Sequence, residues 1–278
     1  MGRFGRSWEL AKSSWSVLRA DLELLWLPVL SFLATVITAA LFVIPIWTMS
    51  ETDTVNGSEF SMGPIGWVLT ALAYIALAYV TIFFNAALIH AADERMRGGD
   101  PTVGTALRGA ASRAGKILPW AILSATVSVI LRAIQERAGI FGRIIAGIAG
   151  IAWTLVTFLV LPILVIEGIT VGTALKRSSE MFKRTWGEQV IANAGIGLVS
   201  LAAIIAGLPV LLLAATGITA LVILGVGLFV AWIAVVVAVT SALSVVYQTA
   251  LYHYAANGMP PEAFANINLR GAFAAKRR

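Results

Sequence analysis

The sequence predicts an all-α integral membrane protein with six transmembrane helices in three hairpins, each hairpin preceded by an amphipathic helix at the cytoplasmic surface. Three observations lead to this fold class. Of the 278 residues, 59% are hydrophobic and only 12% are charged, whereas soluble domains have about 45–50% and about 25%. The charges fall in short clusters between apolar runs long enough to span a bilayer, for which roughly 20 residues suffice. An identical hexapeptide also occurs twice, which indicates an internal repeat.

The apolar runs define the six spans in order. The first run is too long for the apolar region of a signal peptide, so we expect it to be retained as a helix. The last two spans have no charged residue between them, and the break signals at Gly207-Leu208-Pro209 and Thr216-Gly217 predict a hinge within 207–220. The predicted spans are residues 24–48, 64–90, 117–135, 141–166, 189–214 and 218–253.

The basic residues determine the number and orientation of the spans. The N-terminal segment, the second and fourth connections and the C-terminal tail together hold 17 of the 20 Lys and Arg residues. Cytoplasmic loops collect Lys and Arg, so these segments are predicted to face the cytoplasm, with both termini inside and the chain in the inner (plasma) membrane. A seventh span would export the basic tail. The third connection, with Arg132, Arg137 and Arg143, departs from the rule.

The repeated hexapeptide Thr-Val-Gly-Thr-Ala-Leu occupies 102–107 and 170–175. Each copy is followed by a basic residue, an amphipathic stretch and a membrane hairpin, and the N-terminus offers a weaker third copy. A helix with one apolar and one basic face lies in the membrane interface. The single membrane domain, 1–278, is therefore divided into pseudo-repeats 1–92, 98–167 and 168–256, followed by a basic cytoplasmic tail at 257–278.

The central glycines of the two hexapeptides, Gly104 and Gly172, lie inside the predicted amphipathic helices. A glycine there costs up to about 1 kcal/mol relative to alanine. We therefore expect each glycine to mark a close approach of a neighbouring backbone.

The basic faces of the amphipathic segments predict contact with anionic lipid headgroups. Near an anionic membrane surface each Lys or Arg contributes about 1 kcal/mol. The net charge of +6 is assigned to topology and lipid rather than to nucleic acid, and we expect a protein partner or a homo-oligomer in addition to lipid. The predicted headgroup contacts are Arg108, Arg113, Lys116, Lys176, Arg177, Lys183 and Arg184.

Several polar side chains have two interpretations each. His90, Asp93 and Glu94, with His253, have the spacing of a helical metal site, but side chains at headgroup level are favoured, and no metal or cofactor is expected. Arg132, Glu136 and Arg137 form either an intramembrane ion cluster or, as we favour, an external loop pair. Glu167 either caps the next helix or pairs with a neighbouring base. Asn85, Asn193 and Gln248 are expected to form interhelical hydrogen bonds.

Two helical faces carry small residues at every fourth position, which allows helices to approach closely. We expect their partners to lie within the chain. These predicted packing residues are Gly142, Ala146 and Gly150 in the fourth span, and Ala234, Ala238 and Ala242 in the sixth.

Two motifs carry a resemblance to a known family. The segment Thr-Val-Gly-Thr-Ala-Leu-Lys-Arg-Ser-Ser-Glu-Met-Phe-Lys at 170–183 and the closing Ala-Leu-Tyr-His-Tyr-Ala-Ala-Asn-Gly at 250–258 resemble an uncharacterised family of bacterial and archaeal polytopic membrane proteins. The chain is more distantly similar to the membrane domain of glycerophosphodiester phosphodiesterases. The resemblance implies no catalytic residue here, since a hydrolase domain is missing.

The sequence contains no phosphate-binding glycine loop, Ser-His-Asp set or paired intramembrane carboxylates. We therefore expect a non-catalytic membrane scaffold or partner subunit that contacts anionic lipid through its basic interfacial helices. The alternative is a transporter or permease subunit for a lipid or small solute. A long closed cavity with a polar lining would favour transport, and a tightly packed bundle would favour the scaffold.

Overall fold

The structure, a computed structural model, describes residues 22–49, 51–52, 60–61, 63–137, 139–211 and 219–258, with the backbone alone for 183–199. The N-terminal amphipathic segment and the basic tail beyond 258 lie outside these ranges. A short 3-10 helix, Leu22–Leu25, precedes the first α-helix, and β1 (Glu51–Thr52) pairs antiparallel with β2 (Phe60–Ser61). The α-helices of the described residues are α1 (Trp26–Met49), α2 (Pro64–Met96), α3 (Val103–Ser112), α4 (Ala114–Arg137), α5 (Gly139–Thr157), α6 (Val160–Ile166), α7 (Val171–Gly207) and α8 (Thr219–Asn257).

Within the described residues, five segments are long and apolar enough to cross a membrane, which confirms the predicted class of a helical membrane protein. They correspond to five of the six predicted spans. The remaining span, predicted at 189–214, falls mainly on the second half of α7, and the count of six stays a prediction. The five segments are Leu22–Thr48, Pro64–Met96, Ala114–Arg137, Phe141–Ile166 and Thr219–Asn257.

The two basic segments that follow the hexapeptides differ in the structure. The first forms a separate ten-residue helix, α3, which ends at Ser112 before α4 begins. The second is the start of α7, which continues unbroken from Val171 to Gly207. The expectation of a separate interfacial helix before the fifth span is therefore wrong. No proline occurs within α7 to interrupt its backbone hydrogen bonds.

Both hexapeptides place a threonine at a helix N-cap, but only Thr102 forms side-chain capping hydrogen bonds to the backbone. Thr102 is the N-cap of α3, where its hydroxyl accepts from the Thr105 N–H (3.1 Å) and its own N–H donates to the Thr105 hydroxyl (2.9 Å). Thr170 is the N-cap of α7, and its hydroxyl lies 3.0 Å from that of Thr173. A capping hydroxyl satisfies amide groups that a helix end leaves unpaired. The threonines of the repeat are therefore helix-start signals.

The remaining hexapeptide positions correct the expectation for the glycines. Ala106 and Ala174, at the fifth position, are fully buried. A methyl group built on Gly172 would meet nothing within 4 Å, and one on Gly104 would meet only side-chain atoms of its own segment. Neither glycine marks a close approach of a neighbouring backbone, because the buried alanine is the residue that faces the core.

The packed core lies at one end of the bundle, which we call the packed end. It is formed where α2 and α8 end, where α1 and α4 begin, and around α6. Elsewhere large apolar side chains are exposed, as on α5, where Phe141 is 82% exposed, which is typical of surfaces that face hydrocarbon. The largest fully buried side chains are Leu27, Leu88, Ile89, Ile117, Leu159, Val160, Ile163, Leu164 and Val246.

Candidate functional site

The packed end also gathers eight ionisable side chains into a set that we call the polar clamp. Its members come from α2, from the α3–α4 junction, from the segment that links α6 to α7, and from α7 and α8. The clamp consists of Asp93, Arg97, Arg113, Lys116, Glu167, Arg177, Tyr252 and His253.

Asp93 joins α2 to α8. The residue is buried, with 9% of its surface exposed. Its carboxylate accepts a hydrogen bond from Arg97 Nε at 3.1 Å and lies 2.7 Å from His253 Nε2. An ionised carboxylate only accepts, so the imidazole nitrogen donates in this pair. No sequence pattern relates His253 to Asp93, because the two residues lie 160 positions apart in the chain.

The spacing of His90, Asp93 and Glu94 does not produce a ligand set. The His90 ring packs against Gly109 of α3, where a methyl group would collide with it. Within the described ranges no three His, Cys, Asp or Glu side chains are placed to hold a metal ion. Asp93 and His253 therefore act as a hydrogen-bonded pair between two helices.

Glu167 follows α6 and connects it to α7 and α8. Its Oε1 atom lies 2.8 Å from Arg177 Nε and accepts the Tyr252 hydroxyl at 2.8 Å. Of the two interpretations of Glu167, the structure confirms pairing with a neighbouring base. The contribution of Tyr252 was missed, since nothing in the sequence relates a tyrosine to a carboxylate 85 residues earlier.

Two cations bind the carbonyl end of α6. Arg113 Nε donates to the Val165 carbonyl at 3.2 Å, and Lys116 Nζ donates to the Gly168 carbonyl. The last carbonyls of a helix have no partner within it and carry partial negative charge, so a cation there is stabilising. Gly168 ends the helix with φ +64°, and the Arg113 guanidinium lies where its side chain would be.

Two polar side chains bind backbone carbonyls at the break between α5 and α6. Pro162 has no N–H for the carbonyl of Phe158, four residues earlier, and that carbonyl instead accepts from Gln248 Nε2 of α8. The Val156 carbonyl accepts from the Ser178 hydroxyl of α7 at 2.5 Å. The prediction that Gln248 forms an interhelical hydrogen bond is confirmed. Ser178 was missed.

The predicted lipid contacts fall into three groups. Arg113, Lys116 and Arg177 are bound within the clamp. Arg108 and Lys176 are exposed, in α3 and near the start of α7 respectively. The side chains of Lys183 and Arg184, like that of Asn193, lie outside those that the structure describes, and lipid contact stays a prediction for the whole set.

The charged residues at the far end of α4 form a local pair. Arg132 Nε lies 2.9 Å from Glu136 Oε1, with exposures of 79% and 62%, and Arg137 ends the helix. The i, i+4 spacing predicted this pair. Its place in an external loop stays a prediction.

The small residues of the two helical faces differ in how deeply they are buried. Ala146 and Ala242 are buried, and a methyl on Gly150 would lie 3.9 Å from Leu131 of α4. Ala234 is exposed and Ala238 half-buried, and both line a groove. Gly142 is half-buried near the start of α5.

This lateral groove lies between α1, α2 and α8 and has a volume of about 620 Å³. Its lining is mostly apolar, and its polar members include Asn85. It is not the long closed polar cavity expected of a transport pathway. The apolar walls include Pro28, Phe32, Phe84, Leu88, Ile233 and Val237.

Comparison with protein families assigns most of the chain to a family. A protein-family model described as a family of unknown function (DUF6159) matches residues 64–261. No curated protein and no solved structure matches the chain.

Proposed function

Because the chain belongs to DUF6159, a family of unknown function, its role must be inferred from its own residues, and we propose a non-catalytic inner-membrane protein that acts as a scaffold or partner subunit. The polar clamp carries this proposal. Its carboxylates, cations and phenol are bound to one another or to helix carbonyls, and they join α2, α4, α6, α7 and α8. An arrangement of this kind fixes helix ends, whereas a reaction centre needs polar groups that converge on a space for substrate.

The exposed cations beside the clamp supply the lipid contact. Arg108 and Lys176 lie six positions after the threonine N-caps of α3 and α7, at the packed end, and both are exposed. Cations at this level attract anionic headgroups. The chain then anchors to the inner leaflet through these residues, with lipid and a protein partner, rather than nucleic acid, as ligands.

Lipid retained by the chain tests this proposal. The natural chain and the double variant Arg108→Gln/Lys176→Gln would be purified in mild detergent from the same membranes, and bound phosphatidylglycerol measured by mass spectrometry. We expect the double variant to retain severalfold less. The control is Arg132→Gln, which removes another exposed cation. Arg132 lies near the end of α4 that is remote from the packed end. Equal loss in both variants, or none in either, would contradict headgroup binding at the packed end.

A second candidate, a transporter or permease subunit for a lipid or small solute, is favoured by the lateral groove. Its apolar lining suits a lipid chain better than a polar solute. Transfer of fluorescent phospholipid between the leaflets of vesicles containing the purified chain would support it. Transfer no faster than in protein-free vesicles would reject it.

A further inference from the structure

Two cations of the polar clamp, Arg113 and Lys116, have no carboxylate partner. Both donate to carbonyls at the end of α6. Among the described residues, neither lies within ion-pair distance of an acidic side chain. The other fully charged members of the clamp form ion pairs, Asp93 with Arg97 and Glu167 with Arg177.

The helix end that receives these two cations does not balance their charge. The carbonyl end of a helix is equivalent to about half an elementary negative charge, and α6 has only seven residues. Arg113 and Lys116 each carry a full positive charge. An excess of about one and a half positive charges or more therefore remains at this end of α6.

The two side chains converge on one residue and keep most of their hydrogen-bond donors. The Arg113 guanidinium lies against Gly168, and Lys116 Nζ donates to the carbonyl of the same glycine. A guanidinium has five N–H groups and an ammonium has three. Within the described part of the chain Arg113 bonds through Nε alone, so its two terminal nitrogens can still donate to a ligand.

A ligand can reach the pair from the surface of the packed end. Arg113 and Lys116 are half-buried rather than enclosed, and their chain neighbours Ser112 and Gly115 are exposed. A methyl group built on Gly115 would meet nothing within 4 Å, so no other part of the described chain covers α4 at that point.

We propose that Arg113 and Lys116 bind a phosphate monoester, the group that forms the headgroup of phosphatidic acid. A phosphate monoester carries about 1.5 to 2 negative charges at pH 7, which matches the excess at the end of α6. A guanidinium can bind two phosphate oxygens at once, with Lys116 as a second point charge. This inference rests on the proposed lipid contact and names the class of headgroup.

Phosphatidylglycerol and inorganic phosphate are the two informative comparisons. The phosphate diester of phosphatidylglycerol carries a single negative charge and would leave part of the excess uncompensated. Inorganic phosphate has the charge of a monoester but no acyl chains. The first comparison tests the preference for a monoester, and the second separates a lipid from a soluble phosphate.

Titration of the purified full-length chain in an uncharged detergent tests the proposal. The probes are dioctanoyl phosphatidic acid, dioctanoyl phosphatidylglycerol and inorganic phosphate, and calorimetry gives the Kd of each. We expect phosphatidic acid to bind about five- to tenfold more tightly than phosphatidylglycerol. Inorganic phosphate that binds as tightly as phosphatidic acid would support the same site, with a soluble phosphate as its ligand.

Variants locate the binding. Lys116→Met keeps the aliphatic stem but removes the charge, and should lower the affinity for phosphatidic acid to about that for phosphatidylglycerol. Arg113→Lys keeps a donor for the α6 carbonyl but loses the planar fork, so it should lose part of the preference. Arg108→Gln/Lys176→Gln is the matched control, which should weaken both lipids by the same factor. Helix content and elution volume check that each variant folds.

Equal affinities of the natural chain for the two lipids would overturn the proposal, as would a folded Lys116→Met variant that keeps the preference. Loss of the preference in the Arg108→Gln/Lys176→Gln variant would overturn it as well, because the monoester would then bind elsewhere. The ratio of the two affinities reports on Arg113 and Lys116, whereas the affinity for either lipid reports on headgroup contact in general. The two proposals can therefore fail separately.

Discussion

Gly168 shows at the residue scale how a position without a side chain completes the polar clamp. It adopts φ +64° directly after α6, and the Arg113 guanidinium occupies the place where a side chain would project. Its carbonyl also receives Lys116. The same residue thus ends one helix and admits two cations to that helix end.

The contrast between Gly168 and Gly172 gives a prediction. Gly168→Ala should lower the free energy of unfolding by about 1–3 kcal/mol, since a left-handed alanine is strained and its methyl displaces Arg113. Gly172→Ala is the control: its methyl meets nothing within 4 Å, so it should raise stability by up to about 1 kcal/mol. Thermal unfolding in one detergent measures both. A destabilised Gly172→Ala beside a neutral Gly168→Ala would contradict the assignment.

At the scale of elements, the repeated hexapeptide begins two helices of very different length. Thr102 and Thr170 are both N-caps, Thr102 with a capping box and Thr170 without a side-chain capping bond, and α3 has ten residues whereas α7 has 37. A cap acts on the first turn alone. The sequence beyond it, with the packing of Arg113 against α6, determines where the helix stops.

The bridge across the α5–α6 break can be tested by a double-mutant cycle. Gln248→Leu leaves the Phe158 carbonyl, which Pro162 cannot bond, without a donor, and should lower the free energy of unfolding by about 1–3 kcal/mol. In a Pro162→Ala background residue 162 gains an N–H for that carbonyl, so the same substitution should be less destabilising. Chemical denaturation in detergent measures the coupling. Equal effects in both backgrounds would show that Gln248 acts through packing alone.

At the scale of the whole molecule, the packed core and the polar clamp lie at the same end of the bundle. The polar clamp, the caps of α3 and α7, and the largest buried side chains all belong to the packed end. The other end carries the exposed Arg132–Glu136 pair. Among the described residues, the buried side chains and most of the ion pairs therefore stabilise the bundle at its packed end.

A labelling experiment tests the predicted orientation of the molecule in the membrane. The chain contains no cysteine, and Ser112 and Gln135 are exposed near opposite ends of α4. Single variants Ser112→Cys and Gln135→Cys in intact cells should react oppositely with an impermeant thiol reagent, with only the second labelled from outside, because Lys and Arg accumulate in cytoplasmic segments. Labelling of Ser112→Cys from outside would reverse the topology.

The sequence by itself determined the membrane class, the positions of five spans among the described residues, and the local ion pairs. Spans and helix starts are local properties, because a helix bonds its own backbone four residues apart and its length in hydrocarbon is read from consecutive apolar residues. Glu167 likewise pairs with a basic residue, Arg177, which lies ten residues later in the chain. The hinge predicted within 207–220 lies largely on 212–218, outside the residues that the structure describes, and stays a prediction.

Only the tertiary structure decided the clamp and the groove. His253 meets Asp93 across 160 residues, Gln248 meets Phe158 across 90 and Arg113 meets Val165 across 52. No spacing rule relates such positions, because their contact depends on which helix ends pack together. The same packing places Arg113 and Lys116 against carbonyls at the end of α6, where the partial negative charge of a helix end binds them.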